Sequence, residues 1–234
     1  MRAPLQPAPG VFYWPRYLDM TQQHWLSAEV FRLAESAPFY RPEMPRTGHK
    51  LSVEMTNFGS LGWFTDAEKG YRYEARHPFC GTSWPPIPEL LLDIWRATAG
   101  YRSLPEACLV NLYRGRARMG LHRDSDEPAR DAPVLSVSLG DKALFRFSRA
   151  RKISSTQTLL LESGDVVVFG GVARLMLHGI DRLFPGTSSL IPGGGRLNLT
   201  LRRVTIPDAT QKEAADQGGD RPPNALFALD TGRG

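Results

Sequence analysis

The stretch VLSVSLGDKALFRF (Val134–Phe147) reads as two short strands on either side of a turn. Val, Leu and Phe suit a pleated, half-buried surface, and Gly140-Asp141 is a turn signal between the two runs. The same pattern extends in both directions. Upstream, Cys108–Tyr113 reads as a strand; downstream, Thr158–Glu162, Asp165–Phe169 and Leu197–Arg203 do so as well. Ser163-Gly164-Asp165, Gly170-Gly171 and Gly193-Gly194-Gly195 separate them. Many short strands joined by short turns predict a mainly β (α+β) chain with a jelly-roll, or double-stranded β-helix, core. Helices preceding that block are expected to pack on one of its sheets.

Working outward, residues 1–20 are rich in proline and read as an extended N-terminal arm. Thr21 to about Ala37 reads as a helix capped by Thr21, with Trp25, Leu26, Val30, Phe31 and Leu33 as its apolar face. Residues 50–73 read as strands and a turn, and Trp84-Pro85-Pro86-Ile87-Pro88 as the start of a second helix running to about Ala99. The expected organisation is therefore an arm (1–20), an N-terminal segment carrying the helices (21–106), a jelly-roll core (107–205) and a disordered polar tail (206–234).

Composition narrows the class. The chain has 234 residues, 41% of them hydrophobic, which is enough for one sizeable core. No apolar run approaches the length of a membrane-spanning helix, so no membrane partner is expected. The N-terminus lacks the apolar segment of a secretory signal. Two cysteines, Cys80 and Cys108, without a Cys-x-x-Cys spacing fit a reduced, cytoplasmic setting. The net charge of +5 and a pI near 9.4 are compatible with a polyanionic partner. Arg114, Arg116 and Arg118 alternate in one cluster, and Arg146, Arg149, Arg151 and Lys152 form another.

The chemistry lies in LHRD (Leu121–Asp124) and a distant His178. On a strand, residues two apart face the same side, so His122 and Asp124 project together while Arg123 points away. A His-x-Asp pair completed by a remote His is the ligand set of a mononuclear non-haem Fe(II) site, which keeps open positions for co-substrate and O2. His24, His49 and His77 sit in a helix or beside turns and compete poorly. In RLNLTLR (Arg196–Arg202), Arg196, Asn198, Thr200 and Arg202 share one strand face, with leucines on the other. That pattern fits a strand lining a polar cavity, where an arginine beside a metal can hold a dicarboxylate. Asn111 and Tyr113 are likewise two apart and could add an amide and a phenol. An Fe(II)- and 2-oxoglutarate-dependent dioxygenase is the expectation.

Beyond these residues the chain resembles the AlkB family of nucleic-acid dealkylases, in its bacterial form, from about Leu51 to Arg203. The resemblance is carried by MTNFGSLGW (Met55–Trp63), GYRY (Gly70–Tyr73), WPPIP (Trp84–Pro88), ACLVNLY (Ala107–Tyr113), LHRDSDEP (Leu121–Pro128), APVLSVSLG (Ala132–Gly140), GDVVVFGG (Gly164–Gly171), LHGI (Leu177–Ile180) and RLNLTLR, in one order. It implies Fe(II) ligands His122, Asp124 and His178. It implies that Asn111, Tyr113 and Arg196 hold the distal carboxylate of 2-oxoglutarate, with Asn198 and Arg202 near its keto-acid end. Asp126 would read the exocyclic amino group of the damaged base, Trp63 would stack on that base opposite His122, Tyr71 would touch the nucleic-acid backbone, and Met55 would line the lid. The chain departs from the family's pattern at Arg123, where an uncharged polar residue is common, and at Phe169, where a Trp is expected.

The resemblance implies oxidative demethylation of N1-methyladenine and N3-methylcytosine in single- or double-stranded DNA, with RNA as a further candidate, by a monomer using Fe(II), 2-oxoglutarate and O2. Succinate, CO2 and formaldehyde would be released. A lesion that blocks the Watson–Crick edge is already unpaired, which lowers the cost of extruding it. Two alternatives stand beside this reading: a dioxygenase acting on a small molecule or protein side chain, and a catalytically silent jelly-roll that binds nucleic acid. Asp126 and the arginine cluster argue against the first, and the intact iron and co-substrate residues against the second.

Overall fold

The computed structural model describes residues 3–148 and 156–207. Residues 149–155, most of the second arginine cluster, and residues 208–234, nearly all of the expected tail, lie outside the described residues.

Two sheets face each other, as the strand pattern predicts. The larger has seven strands. In spatial order these are β1 (Leu5–Ala8), β2 (Val11–Trp14), β11 (Val166–Phe169), β8 (Val134–Gly140), β13 (Arg196–Arg202), β6 (Ala107–Tyr113) and β3 (Glu54–Gly59). The smaller contains β10 (Gln157–Leu161), β9 (Lys142–Ser148), β12 (Leu177–Phe184) and β7 (Met119–His122). A separate hairpin joins β4 (Gly62–Asp66) to β5 (Gly70–Glu74).

Both faces of the large sheet are buried, and alternation along each strand decides what goes where. Phe12, Val110, Leu135, Val137, Leu197, Leu199 and Leu201 point outward to α1 (Met20–Leu33) and α2 (Glu89–Thr98), meeting Leu26, Val30, Leu91, Ile94 and Trp95. Val11, Tyr13, Leu109, Val134, Val167 and Phe169 point inward, against Phe145, Phe147, Ile180 and Leu183 of the small sheet. The helices therefore cover one sheet, and the functional cavity opens between the two.

Several local expectations are corrected. The described part of the expected extended arm, residues 3–20, is built into the sheet rather than standing apart. β1 and β2 form a hairpin, and β2 pairs with β11 in the large sheet. Val11-Phe12-Tyr13-Trp14 is buried throughout, and Pro7 is tolerated because β1 is an edge strand. The turn needs Gly10, at φ +77°, where a Cβ would stand 2.6 Å from the Gly170 carbonyl oxygen. The jelly-roll likewise begins before residue 107, since β3 pairs along β6.

The cap of α1 is Asp19 rather than Thr21. The Asp19 carboxylate accepts from the Gln22 amide (2.8 Å), and the Gln22 side chain accepts from the Asp19 amide (3.1 Å), a reciprocal capping box. Helix α1 ends at Leu33, short of the expected Ala37, and Trp25 lies exposed on its outer side. Helix α2 starts only at Glu89, after a non-helical Pro88 (φ −53°, ψ 134°), because residues preceding proline are steered away from helical geometry.

Candidate active site

Strands β7 and β12 run antiparallel with His122 directly opposite His178, so their rings meet at 4.5 Å between centroids. Asp124 lies two residues beyond the end of β7. Strand alternation therefore does not place it, contrary to the sequence argument; side chains from elsewhere do. Arg202 of β13 donates to Asp124 Oδ2 from Nε (3.0 Å) and Nη2 (2.8 Å). Arg174 donates from Nη1 to the Asp124 carbonyl (2.6 Å). His122 Nε2 stands 3.6 Å from Asp124 Oδ1, and His178 Nε2 stands 3.8 Å from Oδ2. Each imidazole has Nδ1 beside a backbone carbonyl, Gly120 for His122 (2.9 Å) and Met176 for His178 (3.2 Å). Donation there leaves both Nε2 lone pairs facing Asp124, the arrangement metal-binding imidazoles use.

The three potential ligand atoms lie within 4.8 Å of one another, a set able to hold one metal ion. The electrostatics agree with that role. Burial opposes ionisation of Asp124, but Arg202, His178 and His122 hold it well below the usual carboxylate range. Burial, helped by His122, pushes His178 down to about 4, so its imidazole is neutral and its lone pair available.

Beyond the triad lies a cavity lined by β6, β8, β13, β9 and β12. Register brings its polar residues together: Arg196 pairs with Tyr113, and Asn198 with Asn111. Arg196 is 1% exposed, its guanidinium 5.5 Å from the Tyr113 ring centroid, and Nη2 donates to Ser138 Oγ (2.9 Å). Its Nε and Nη1 meet no protein acceptor, and neither does Asn111 Oδ1 meet a donor. Unpaired buried donors on a cation are costly, and burial pushes the Arg196 guanidinium down to about 10. A carboxylate is acceptor-only and suits that pair of donors. Asn198 lines the same cavity, donating to Ser136 Oγ (2.6 Å) and accepting from Thr200 (3.0 Å). Arg202 also borders it, although its guanidinium is committed to Asp124.

The β4–β5 hairpin is tied to the segment that follows β7 and to Arg202. Trp63 and Tyr71 stack on one of its faces, 5.6 Å apart, with Tyr71 55% exposed. Trp63 donates its indole N–H to Asp126 Oδ2 (3.0 Å). Asp126 thus sits where the hairpin meets the metal segment, though not on a continued strand. Met55 lies inside on β3, opposite Asn111, rather than on an outer lid. Arg123 turns away and donates to the Leu175 carbonyl (3.0 Å), while Phe169 packs its ring 4.9 Å from His178.

Other supporting residues escaped the sequence reading. Asn57, fully buried, binds both the N–H and the C=O of Trp63 and fixes that aromatic in place. Glu127 is buried between Arg174 Nη2 (3.0 Å), Arg202 Nε (3.6 Å) and the Tyr73 hydroxyl, which donates to it. A lone arginine inside VARLML (Val172–Leu177) was the available signal for a buried, paired charge. Nothing local marks Glu127, which follows Asp126 and precedes a proline.

Comparison with known proteins agrees with this geometry. The sequence profile described as the 2OG-Fe(II) oxygenase superfamily matches residues 10–202. An alpha-ketoglutarate-dependent dioxygenase AlkB homolog of Caulobacter vibrioides (strain NA1000 / CB15N) is 52% identical over 203 residues, covering 86% of this chain and 90% of the relative. Alpha-ketoglutarate-dependent dioxygenase AlkB of Escherichia coli (strain K12) is 40% identical over 183 residues, 76% of this chain and 83% of that protein. Among solved structures, OsALKBH1 superposes with a TM-score of 0.74 at 30% identity, over 86% of this chain and 99% of the other.

Proposed function

The chain belongs to the 2OG-Fe(II) oxygenase superfamily, in its bacterial AlkB branch, and on that premise we propose that it is an oxidative demethylase of alkylated bases in DNA. The observation that carries this reading is the Arg196 guanidinium, buried with two unmet donors in the cavity that begins at the His122–Asp124–His178 cluster. Such a cavity fits Fe(II) and a chelating dicarboxylate together. When bound, Fe(II), 2-oxoglutarate and O2 supply oxidation of the alkyl carbon, releasing succinate, CO2 and formaldehyde.

The chain's own residues bind and orient. His122, Asp124 and His178 hold the metal. Arg196, with Tyr113 and Asn111, anchors the distal carboxylate; Asn198 borders the opposite end, and Arg202 keeps Asp124 ionised and aimed. Phe145, Leu161, Phe169 and Ile180 give the cavity apolar walls that exclude water. The β4–β5 hairpin is the recognition lid: Trp63 stacks on the extruded base against His122, Asp126 accepts a hydrogen bond from its amino group, and Tyr71 meets the backbone. N1-methyladenine and N3-methylcytosine are cationic, so a carboxylate favours them by charge as well as by hydrogen bonding. The same lid chemistry accepts single-stranded RNA. A site completed within one chain supports a monomer, and two free cysteines, Cys80 and Cys108, support a cytoplasmic setting.

The test is incubation with Fe(II), 2-oxoglutarate and DNA or RNA oligonucleotides carrying one N1-methyladenine, N3-methylcytosine or N6-methyladenine. Several plant relatives are named DNA N(6)-methyladenine demethylases, hence the third lesion. Loss of one CH2 from the cationic lesions, with matching succinate, is expected. Succinate formation indifferent to every methylated oligonucleotide would assign the oxygenase to another substrate.

A further inference from the structure

Away from the cavity, the small sheet carries an irregularity with a chemical consequence. Along β12, Ile180 faces Phe145 of β9 but Arg182 faces Leu144, so Asp181 is the extra residue of a bulge. The bulge lets Ile180 and Leu183 both stay buried while Asp181 and Arg182 both face solvent. Asp181 is matched by Arg146, Nη2 to Oδ1 at 3.2 Å. Arg182 meets no carboxylate among the described residues; its guanidinium stands 5.2 Å from the Phe184 ring centroid.

The connection from β6 to β7 delivers two more cations to the same place. Arg116 and Arg118 are exposed on either side of buried Ala117. The loop is tied at Arg118, whose N–H donates to Ser52 Oγ (3.3 Å). Arg114 is spent on the Gly194 and Pro192 carbonyls, whereas the Arg116 and Arg118 guanidiniums find no acceptor among the described residues. Arg116, Arg118 and Arg182 line one open cleft with Asp181, the carboxylate that Arg146 already matches.

We propose that this cleft is a phosphate-binding site for nucleic acid, gripping the backbone a short distance from the base being processed. The proposal rests on the dealkylase reading above. Three guanidiniums facing one cleft repel each other, and a polyanion relieves that repulsion while releasing its own counterions. Position identifies the polyanion. Arg118 lies four residues before His122 on the β7 side, and Arg182 four residues after His178 on β12. Along a strand that is ~13 Å from the metal ligands. A stacked strand covers it in about four nucleotides at ~3.4 Å each, and an extended one in fewer. The phosphates come either from the lesion-bearing strand or from its complement; guanidinium pairing suits both.

The test uses the full-length protein and the Arg116→Ala/Arg118→Ala/Arg182→Ala variant, all surface positions outside the catalytic cavity. Fluorescence anisotropy with an unmodified single-stranded 20-mer and with its duplex is followed against salt concentration. Each lost phosphate contact lowers the slope of log K against log[salt] by about 0.7 on a single strand and 0.9 on a duplex. The triple variant should therefore lose about 2 units of slope on a single strand or nearly 3 on a duplex, with a tenfold or greater rise in Kd at low salt, and the triple lysine variant should restore the slope. A change on the single strand assigns the lesion-bearing strand; a change on the duplex alone assigns the complement. Demethylation of a trinucleotide centred on N1-methyladenine, too short to reach the cleft, should keep its kcat and KM. Unchanged slope and Kd on both substrates, or an equal loss on the trinucleotide, would overturn the proposal. Inactivity of the unaltered protein on the trinucleotide would instead count against the dealkylase reading, and the salt slopes would still report on the cleft.

Discussion

Trp63 and Asp126, 63 residues apart, are joined by a hydrogen bond from the indole N–H to the carboxylate, Nε1 to Oδ2 at 3.0 Å. The two residues proposed to grip the base are thus joined to each other. The indole takes one acceptor site of the carboxylate; an exocyclic amino group can fill another, and a carbonyl oxygen cannot. Asp126→Ala should therefore reduce turnover of N1-methyladenine and N3-methylcytosine by about ten- to a hundredfold, the equivalent of a charged hydrogen bond. N1-methylguanine and N3-methylthymine should lose far less. Equal losses across the four lesions would leave Asp126 only a general electrostatic role.

Substitutions of Trp63 separate stacking from the latch. Trp63→Ala should slow all lesions, because base stacking contributes about 1–3 kcal/mol whatever the base. Trp63→Phe keeps a ring and frees the Asp126 carboxylate, so it should retain most turnover of the cationic lesions. Loss of activity in the Phe variant equal to that in the Ala variant would show that the indole N–H is needed in the bound state.

Arg196 supplies the two unmet donors of the cavity. Arg196→Ala should raise the 2-oxoglutarate concentration for half-maximal turnover by about ten- to a hundredfold, from roughly 1.5–3 kcal/mol of charge-assisted pairing. A titration of succinate formation against 2-oxoglutarate reads this directly, and an unchanged midpoint would reject the role.

His178→Ala should abolish 2-oxoglutarate turnover and metal binding while the circular dichroism spectrum and the melting transition persist, since β12 keeps its ladders to β9 and β7. Turnover at the original rate would remove His178 from the metal site.

Glu127→Ala removes the shared partner of Arg174 and, at longer range, of Arg202, both nearly fully buried. Arg202 keeps Asp124, but Arg174 is left buried with carbonyl acceptors only, which should cost about 3–5 kcal/mol in chemical denaturation. A loss below ~1 kcal/mol would mean that water or another carboxylate takes Glu127's place.

The sequence by itself determined what repeats locally. Leu197, Leu199 and Leu201 alternating with Arg196, Asn198, Thr200 and Arg202 specify a strand with one apolar and one polar face, and β13 has both. Alternation is a property of the backbone, so it needs no knowledge of neighbours. His122, Asp124 and His178 were legible for a related reason: few residue types bind iron, and the chain has only five histidines. Tertiary structure alone decided the rest. The Pro-rich start hides β2, whose place beside β11 depends on a pairing about 155 residues away, a long-range register that no local pattern encodes. Asp124 is aimed by Arg202, Arg174 is matched to Glu127, and Trp63 is fixed by Asn57 and latched to Asp126. Each is a side-chain contact between separate segments, and its energy depends on the burial that only the packed fold creates.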